Sequence, residues 1–269
     1  MTRRFYVAPG SIERSGAPGG GSPFSFTAYV TGGEALHAVQ VLRLKAGDPV
    51  LVFDGSGYEY SGTVRRIAGR REAPVVEVSG GEARLGAAEP PFEVVLVQGL
   101  PKADKLEEIV EKGTEVGVTR FLPVRTERSL AQYSPEKAEA KRLRLERIAL
   151  SAAKQSGRSR VPQVLPFCDL APGELNARLA GLVWIAFWER AAAPLRRVME
   201  GLLKDGEPGK GVALFIGPEG GFSEREAGML EACGARLCSL GPRILRTETA
   251  GPVAAALVLY AAGEGDRRE

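Results

Sequence analysis

Residues 212–226 read VALFIGPEGGFSERE and combine a strand, a loop and the start of a helix. The apolar run 212–216 predicts a buried strand, and Ser223 followed by Glu226 predicts a helix N-terminus with a capping box. The three glycines between them let the backbone pass close to a ligand and direct N–H groups at it. The stretch therefore predicts a ligand-binding loop at the carboxyl end of a parallel strand, with a plain tight turn as the alternative.

A second loop of the same character is LGPRILRTET at 240–249. It follows a predicted strand, 236–240, and leads into a predicted final helix, 247–262, which Thr247 is expected to cap. Arg246 and Glu248 then lie at the mouth of that helix. A surface ion pair, usually worth less than about 1 kcal/mol, is the alternative explanation for these two residues. Two polar loops with glycine at one sheet edge favour a pocket there.

The rest of the chain supplies the frame for these loops. From residue 92 onward, predicted strands alternate with helices, which indicates a mostly parallel sheet with helices on both faces. Residues 1–80 contain short β-prone runs and a hairpin signal, DGSG at 54–57, which favour a small barrel. The Gly-, Ala- and Pro-rich segment 80–91 predicts a linker, so we expect domains at 1–80 and 81–269.

Composition narrows the class of protein. The 269 residues are 44% hydrophobic and 26% charged, as in globular chains of one or two domains. The longest apolar run, 252–262, is too short to span a bilayer, and no signal peptide is evident, so we expect a cytoplasmic protein. Three cysteines without a CxxC pair, and a single histidine, argue against a metal site and favour reduced thiols.

Charge is concentrated in one segment. The net charge is +3, yet residues 120–160 contain eleven Lys or Arg against four Glu. A basic segment of this kind indicates an acidic partner such as nucleic acid, with a solvated helix face as the equal alternative.

The two loops also carry a family resemblance. IGPEGGFSEREAG at 216–228 followed by LGPRILRTETA at 240–250 resembles the RsmE family of 16S ribosomal RNA uridine N3-methyltransferases, in the SPOUT superfamily. Four other segments agree: RFYV at 4–7, HAVQVLRLKAGDPVLVFDG at 37–55, KADKLEEIVEKGTEVGV at 102–118 and AAKQSGRSRVPQV at 152–164.

The resemblance implies an α/β fold with a SPOUT-type parallel sheet and a trefoil knot in the C-terminal domain, after a small PUA-like β-barrel that binds RNA. It implies a homodimer that uses S-adenosylmethionine, held in a bent shape, to methylate N3 of a specific uridine in 16S ribosomal RNA or the small ribosomal subunit. The knot does not follow from composition or periodicity, since knots are rare in proteins.

Site residues carry over by position. The resemblance implies that Arg246 and Glu248 face the methyl donor or the target base. Because the uridine N3 proton must leave, Glu219 and Glu248 are the candidate catalytic bases, and Arg246 is the candidate stabiliser of developing negative charge. Predicted cofactor contacts are Trp188, Glu189, Ile216, Gly217, Pro218, Gly220, Gly221, Leu240, Gly241, Ile244 and Leu245. Predicted RNA contacts are Arg4, His37, Arg43, Arg128 and Arg158. On its apolar face, His37 would otherwise be a packed core histidine.

Two departures and three alternatives stay open. Lys154 stands where the family pattern has Glu, which puts a catalytic role for that position in doubt. Ala250-Gly251-Pro252 replaces a threonine-rich continuation and is expected to shift the start of the last helix. The alternatives are a methyltransferase of this fold acting on another RNA, a noncatalytic RNA-binding assembly factor, and a nucleotide-dependent oxidoreductase, against which the missing GxGxxG argues.

Overall fold

The computed structural model describes residues 3–16, 24–130, 133–206 and 209–264. The chain divides into two compact units, Met1–Glu89 with Ala153–Val161, and Pro90–Ala152 with Pro162–Glu269. Among the described residues, no helix is both long enough and apolar enough to cross a membrane.

The first unit is built on a six-stranded sheet with strand order β1-β4-β5-β6-β3-β2. Only the β1–β4 pair is parallel. Every strand contributes side chains to a single apolar core, so the sheet curves around that core as expected for a small barrel. The strands are β1 (Arg3–Tyr6), β2 (Ile12–Ser15), β3 (Ser25–Val30), β4 (Pro49–Phe53), β5 (Tyr58–Arg70) and β6 (Ala73–Leu85). Helix α1 (Gly32–Leu36) leads into a π-helical turn, His37–Val41.

The predicted linker at 80–91 is wrong in its first half, because β6 continues to Leu85 and pairs there with Tyr58 of β5. The glycines that indicated a linker have a packing role instead. A Cβ on Gly80 would lie 2.8 Å from the Phe26 ring, so the strand needs glycine for this close approach.

Residues 153–161 belong to the first unit through backbone pairing. The N–H of Gly57 donates to the carbonyl of Ser159 at 3.1 Å, and the N–H of Val161 donates to the carbonyl of Gly55 at 3.1 Å. These bonds join the segment to the loop after β4, a long-range contact that no local pattern predicts.

The second unit contains a sheet in which every strand pair is parallel, in the order β10-β8-β7-β12-β11-β13, with β9 also paired to β8. The parallel sheet is therefore confirmed. The strands are β7 (Glu93–Gly99), β8 (Arg120–Arg125), β9 (Gln163–Val164), β10 (Cys168–Asp169), β11 (Val183–Phe187), β12 (Gly211–Ile216) and β13 (Arg236–Cys238). The helices are α2 (Lys105–Glu115), α3 (Pro135–Ser156), α4 (Pro172–Arg178), α5 (Leu195–Lys204), α6 (Glu224–Ala232) and α7 (Thr247–Ala261).

Helix α2 begins at Lys105 because Ala103, two residues before it, has a φ of +53°, outside the helical region. The start of α7 differs from expectation. The cap of α7 is Arg246, and Thr247 is the first helical residue. The expected shift of α7 by Pro252 is wrong, since the helix contains that proline and still starts at Thr247. Helices α4 and α5 were not predicted.

Two helical glycines give a matched test of this packing. A Cβ on Gly113 in α2 would meet the Phe121 ring at 2.7 Å, whereas a Cβ on Gly228 in α6 would have nothing within 4 Å. Both Gly→Ala changes gain about 1 kcal/mol of helix propensity. Overpacking costs about 1–3 kcal/mol at the crowded site. We expect Gly113→Ala to lower the melting temperature and Gly228→Ala to raise it, measured by circular dichroism. Equal changes in melting temperature for the two variants would contradict the close packing of Gly113 against Phe121.

Candidate active site

A cleft of about 610 Å³ lies at the edge of the second unit's sheet where the strands end. Its walls are the loops that follow β11, β12 and β13. Because parallel strands place their carboxyl ends on one side, loops far apart in sequence converge there. The cleft is large enough for a nucleoside-sized ligand.

The loop after β12 is fixed by its own backbone and by the start of α6. The Ser223 hydroxyl accepts from the Glu226 N–H at 3.1 Å, and the Glu226 carboxylate accepts from the Ser223 N–H at 2.9 Å, which confirms the predicted capping box. A Cβ on Gly217 would lie 2.8 Å from the backbone of Gly221, which itself has a φ of +66°. The loop therefore requires glycine at both positions.

Buried hydrogen bonds join the end of β7 and the loop after β12 to the start of α7. The Thr247 hydroxyl donates to the Gly217 carbonyl at 2.7 Å, and the Gln98 amide donates to the Thr247 hydroxyl at 2.9 Å. Both side chains are buried. Thr247 was predicted to cap its own helix, and that prediction is wrong. Its hydroxyl binds the glycine loop instead.

All eleven residues predicted to contact the cofactor line this one cleft, and so do Glu219 and Arg246. Ile216, Gly217 and Pro218 are buried at its base, whereas Ile244 is 89% exposed. The base is lined mainly by backbone and apolar groups, which suits a flat organic ring better than a highly charged ligand. The structure places these residues together, and their contacts with a ligand remain predictions.

The charged groups lie at the mouth. The Lys105 ammonium lies 3.1 Å from Oε1 of Glu219 and 3.2 Å from Oε2 of Glu248, and it also lines the cleft. The Arg246 guanidinium lies 4.0 Å from Glu248, and its side chain is 83% exposed. The stronger partner of Glu248 is therefore Lys105, a residue that the sequence analysis missed.

Both carboxyl groups are held in the ionised form. Burial raises the pKa of Glu219, but the backbone N–H groups of Glu219 and Lys102, together with the Lys105 ammonium, outweigh burial and lower that pKa below its usual value. Hydrogen bonding to its own backbone N–H lowers the pKa of Glu248, opposed by burial and aided by Lys105 and Arg246. At neutral pH both groups are acceptors.

The residues predicted to bind RNA differ in exposure and in the groups that they contact. His37 and Arg43 are exposed in the first unit, so the alternative of a packed core histidine is wrong. Arg128 donates to the Gly220 carbonyl at 2.6 Å and so supports the glycine loop. Arg4 is half-buried and donates to Glu59 at 3.0 Å and to Ser159 at 2.8 Å.

Arg158 is only 1% exposed, and its guanidinium pairs with Glu89 at 2.9 Å. Its burial contradicts the expected direct RNA contact, because a guanidinium inside the protein cannot reach a phosphate or base. Lys154 pairs with Glu34 within the same unit.

The basic segment 120–160 is largely neutralised. Seven of its eleven cations form ion pairs with carboxylates. Charge counting along the sequence therefore overstates the positive field of this segment, because the pairing acids lie elsewhere in the chain as well as within it. In the part of the chain that the structure describes, no cluster of His, Cys, Asp and Glu could hold a metal ion.

Comparison with known proteins agrees with this geometry. A family model described as an RNA methyltransferase domain matches residues 88–259, and one described as an RNA methyltransferase PUA domain matches residues 30–77. Ribosomal RNA small subunit methyltransferase E of Bacillus subtilis is 33% identical, over 87% of this chain and 90% of that protein. The Synechocystis protein of that name is also 33% identical, over 96% of this chain and 77% of the relative.

A solved structure is similar over nearly its whole length. The crystal structure of ribosomal RNA small subunit methyltransferase E from Neisseria gonorrhoeae, bound to S-adenosyl methionine, has a TM-score of 0.73 and 25% identity, covering 97% of this chain and 98% of that one. Fold and site together define an RNA methyltransferase with an N-terminal PUA-like domain. More narrowly, the chain belongs to the ribosomal RNA small subunit methyltransferase E family. The trefoil knot stays a prediction.

Removing the Thr247 hydroxyl tests the bond at the base of the cleft. Thr247→Val keeps the shape of the side chain but leaves the buried Gly217 carbonyl without this donor. We expect the free energy of unfolding to fall by about 1–3 kcal/mol. Thr249→Val, at an exposed position of the same helix turn, is the control and should change it little. Urea denaturation measures both, and equal effects would show that the hydroxyl contributes nothing specific.

Proposed function

We propose that this protein transfers a methyl group from S-adenosylmethionine to N3 of a specific uridine in 16S ribosomal RNA, in the cytoplasm. The observation that carries the proposal is the glycine-lined cleft, formed by three loops of a chain whose methyltransferase and PUA domains match family models. The substrate is inferred from the names of the relatives, which are small-subunit ribosomal RNA methyltransferases.

The residues of the cleft fit the cofactor. Glycine at 217 and 221 lets the loop fold tightly against itself and against Glu189, and the base exposes backbone groups next to the apolar Ile216 and Leu240. The backbone at 216–221 and 240–245, with Trp188 and Glu189, would hold S-adenosylmethionine. When bound, this cofactor supplies an electrophilic methyl group on a sulfonium centre. The protein supplies orientation and excludes water.

The chain's own charged residues account for the proton and the developing charge. The uridine N3 proton has to leave, and Glu219 and Glu248 are ionised carboxylates that can accept it at the mouth of the cleft. Arg246 is exposed beside Glu248 and offers donors for the flanking uracil carbonyl oxygens as they gain negative charge.

We assign RNA binding first to the PUA-like unit. Its exposed Arg43 and His37 lie at the two ends of one short segment, inside the matched PUA region. Arg4 would act there by holding Glu59 and Ser159, to which its guanidinium donates, and Arg128 would act by holding the glycine loop. Arg158 is left out of this surface because it is buried.

We also propose a homodimer that uses α7. The outward side of this helix carries Leu257 and Tyr260, which are 42% and 74% exposed, and Ile244, in the loop before the helix, is 89% exposed. Apolar side chains on one helix face are typical of a surface that another chain covers. A second copy of this chain satisfies that requirement.

The activity is tested on ribosomal RNA from cells that lack the protein. Purified protein and labelled S-adenosylmethionine should produce N3-methyluridine, detected by mass spectrometry of nucleosides. Arg246→Ala should reduce turnover by about 10²–10³-fold with cofactor binding intact, as for loss of an oxyanion donor. Arg196→Ala, an exposed arginine on α5, is the control and should keep normal turnover.

Three results would contradict the proposal in different ways. Label in another nucleoside would mean a different acceptor atom. Cofactor binding by calorimetry without any label in RNA would favour a noncatalytic assembly factor. Near-normal turnover of Arg246→Ala would remove this arginine from the reaction.

The dimer is tested by sedimentation. Leu257→Glu should convert the dimer to a monomer, because a charge would be buried in the interface. Leu143→Glu on α3 has the same 42% exposure in the wild type and should leave the dimer intact. A wild-type protein that sediments as a monomer at micromolar concentration would rule out the dimer.

A further inference from the structure

Lys105 lies where three separate elements of the second unit meet. It is the first residue of α2, and its ammonium contacts Glu219 in the loop after β12 and Glu248 in the first turn of α7. The Lys105 side chain is 31% exposed, and that of Glu248 is only 11% exposed. One cation therefore joins two carboxylates that are brought together only by the fold.

Its position is unfavourable for the helix itself. The N-terminus of a helix carries a partial positive charge, so a lysine at the first helical residue is repelled there. The next two acidic residues, Glu107 and Glu108, are the type that this position favours. The lysine is compensated from outside its helix, by Glu219 and Glu248.

The turn before α2 directs two donors at one of these carboxylates. The Lys102 N–H donates to the Glu219 carboxylate at 3.1 Å, and the ammonium of Lys105, three residues further on, lies 3.1 Å from the same carboxylate. Ala103, between them, has a φ of +53°, a backbone conformation that side chains other than glycine rarely adopt. The strained turn and the lysine thus hold the same carboxylate.

We propose that Lys105 is a positioning residue of the methyltransferase site, which holds the Glu219 and Glu248 carboxylates together and so fixes the glycine loop against the start of α7. The inference rests on the proposed function for its catalytic part, since it assigns a role to the same cleft. Lys105 acts through the two glutamates.

The charges around the pair give the expected pH behaviour. Glu219 faces the Lys102 N–H and Lys105, and Glu248 faces Lys105 and, at 4.0 Å, Arg246. Lys105 lowers the pKa of both carboxyl groups. Without it, the two carboxylates would keep only the exposed Arg246 and, at longer range, Lys112 as cations, and protonation would begin at a higher pH.

The test compares Lys105→Met, Lys105→Arg and the control Lys112→Met. Lys112 lies on the same helix, forms an exposed pair with Glu108 and does not line the cleft, and its charge acts on Glu248 only at longer range. Its loss therefore removes one lysine and one ion pair without removing a direct contact to Glu219 or Glu248. For each variant, kcat and KM for RNA are measured from pH 5 to pH 9. Amide hydrogen exchange of residues 217–222 and 247–250 is measured in the protein without cofactor.

We expect Lys105→Met to lower kcat by about 10- to 100-fold with a smaller change in KM, as for a small displacement of reacting groups. The acid limb of its pH profile should move to higher pH, because the Lys105 ammonium lowers the pKa of both carboxyl groups. Lys105→Arg should recover most of kcat, since the positive charge is kept. Exchange at 217–222 and 247–250 should accelerate in Lys105→Met and stay unchanged in Lys112→Met.

Unchanged exchange, together with an unmoved acid limb, would overturn the positioning role. An equal loss of kcat in Lys112→Met would overturn it as well, because the effect would then be one of general stability. If the wild type methylates no ribosomal RNA but the exchange depends on Lys105 as described, the proposed function fails while the positioning of the two loops stands.

Discussion

The cleft depends on the buried hydrogen bonds that Gln98 and Thr247 make with the Gly217 carbonyl. Gln98 lies near the end of β7, Gly217 directly follows β12 and Thr247 begins α7. Their bonds therefore fix the spacing between these three parts of the site. A buried polar group that loses its partner costs more than the bond itself gains, which makes the arrangement intolerant of small shifts. The glycine loop and the first turn of α7 are thus rigid before any ligand arrives.

The base and the mouth of the cleft differ in chemical character. Backbone groups and apolar side chains form the base, where glycine at 217 and 221 lets the loop fold tightly against itself and against Glu189. The mouth carries Glu219, Glu248, Lys105 and Arg246, two charges of each sign. The apolar base can bind an organic ring. The carboxylates at the mouth can accept a proton, since they stay ionised at neutral pH.

Sequence patterns predicted those parts of the site whose residues are adjacent in the chain. The strand, glycine loop and capped helix at 212–226 were predicted from adjacent residues, and the loops after β12 and β13 were correctly placed on one sheet edge. Gln98 and Lys105 were missed because their partners lie more than a hundred residues away. Each left a signal, however: a glutamine that ends the buried run VVLVQ, and a lysine at a helix N-terminus where acids are favoured. The predicted RNA contact of Arg158 was wrong for the same reason, because its partner Glu89 is remote in sequence.

The departure at Ala250-Gly251-Pro252 shows how the fold preserves the cleft. Pro252 lacks the N–H that would bond to the Glu248 carbonyl, so the first turn of α7 is held less by its own helix. A Cβ on Gly251 would lie 2.9 Å from Leu96, so glycine lets α7 approach β7 closely at this point. That close approach keeps Thr247 within reach of Gln98. Tertiary contacts therefore replace the lost helical bond, and α7 starts at Thr247 despite its proline.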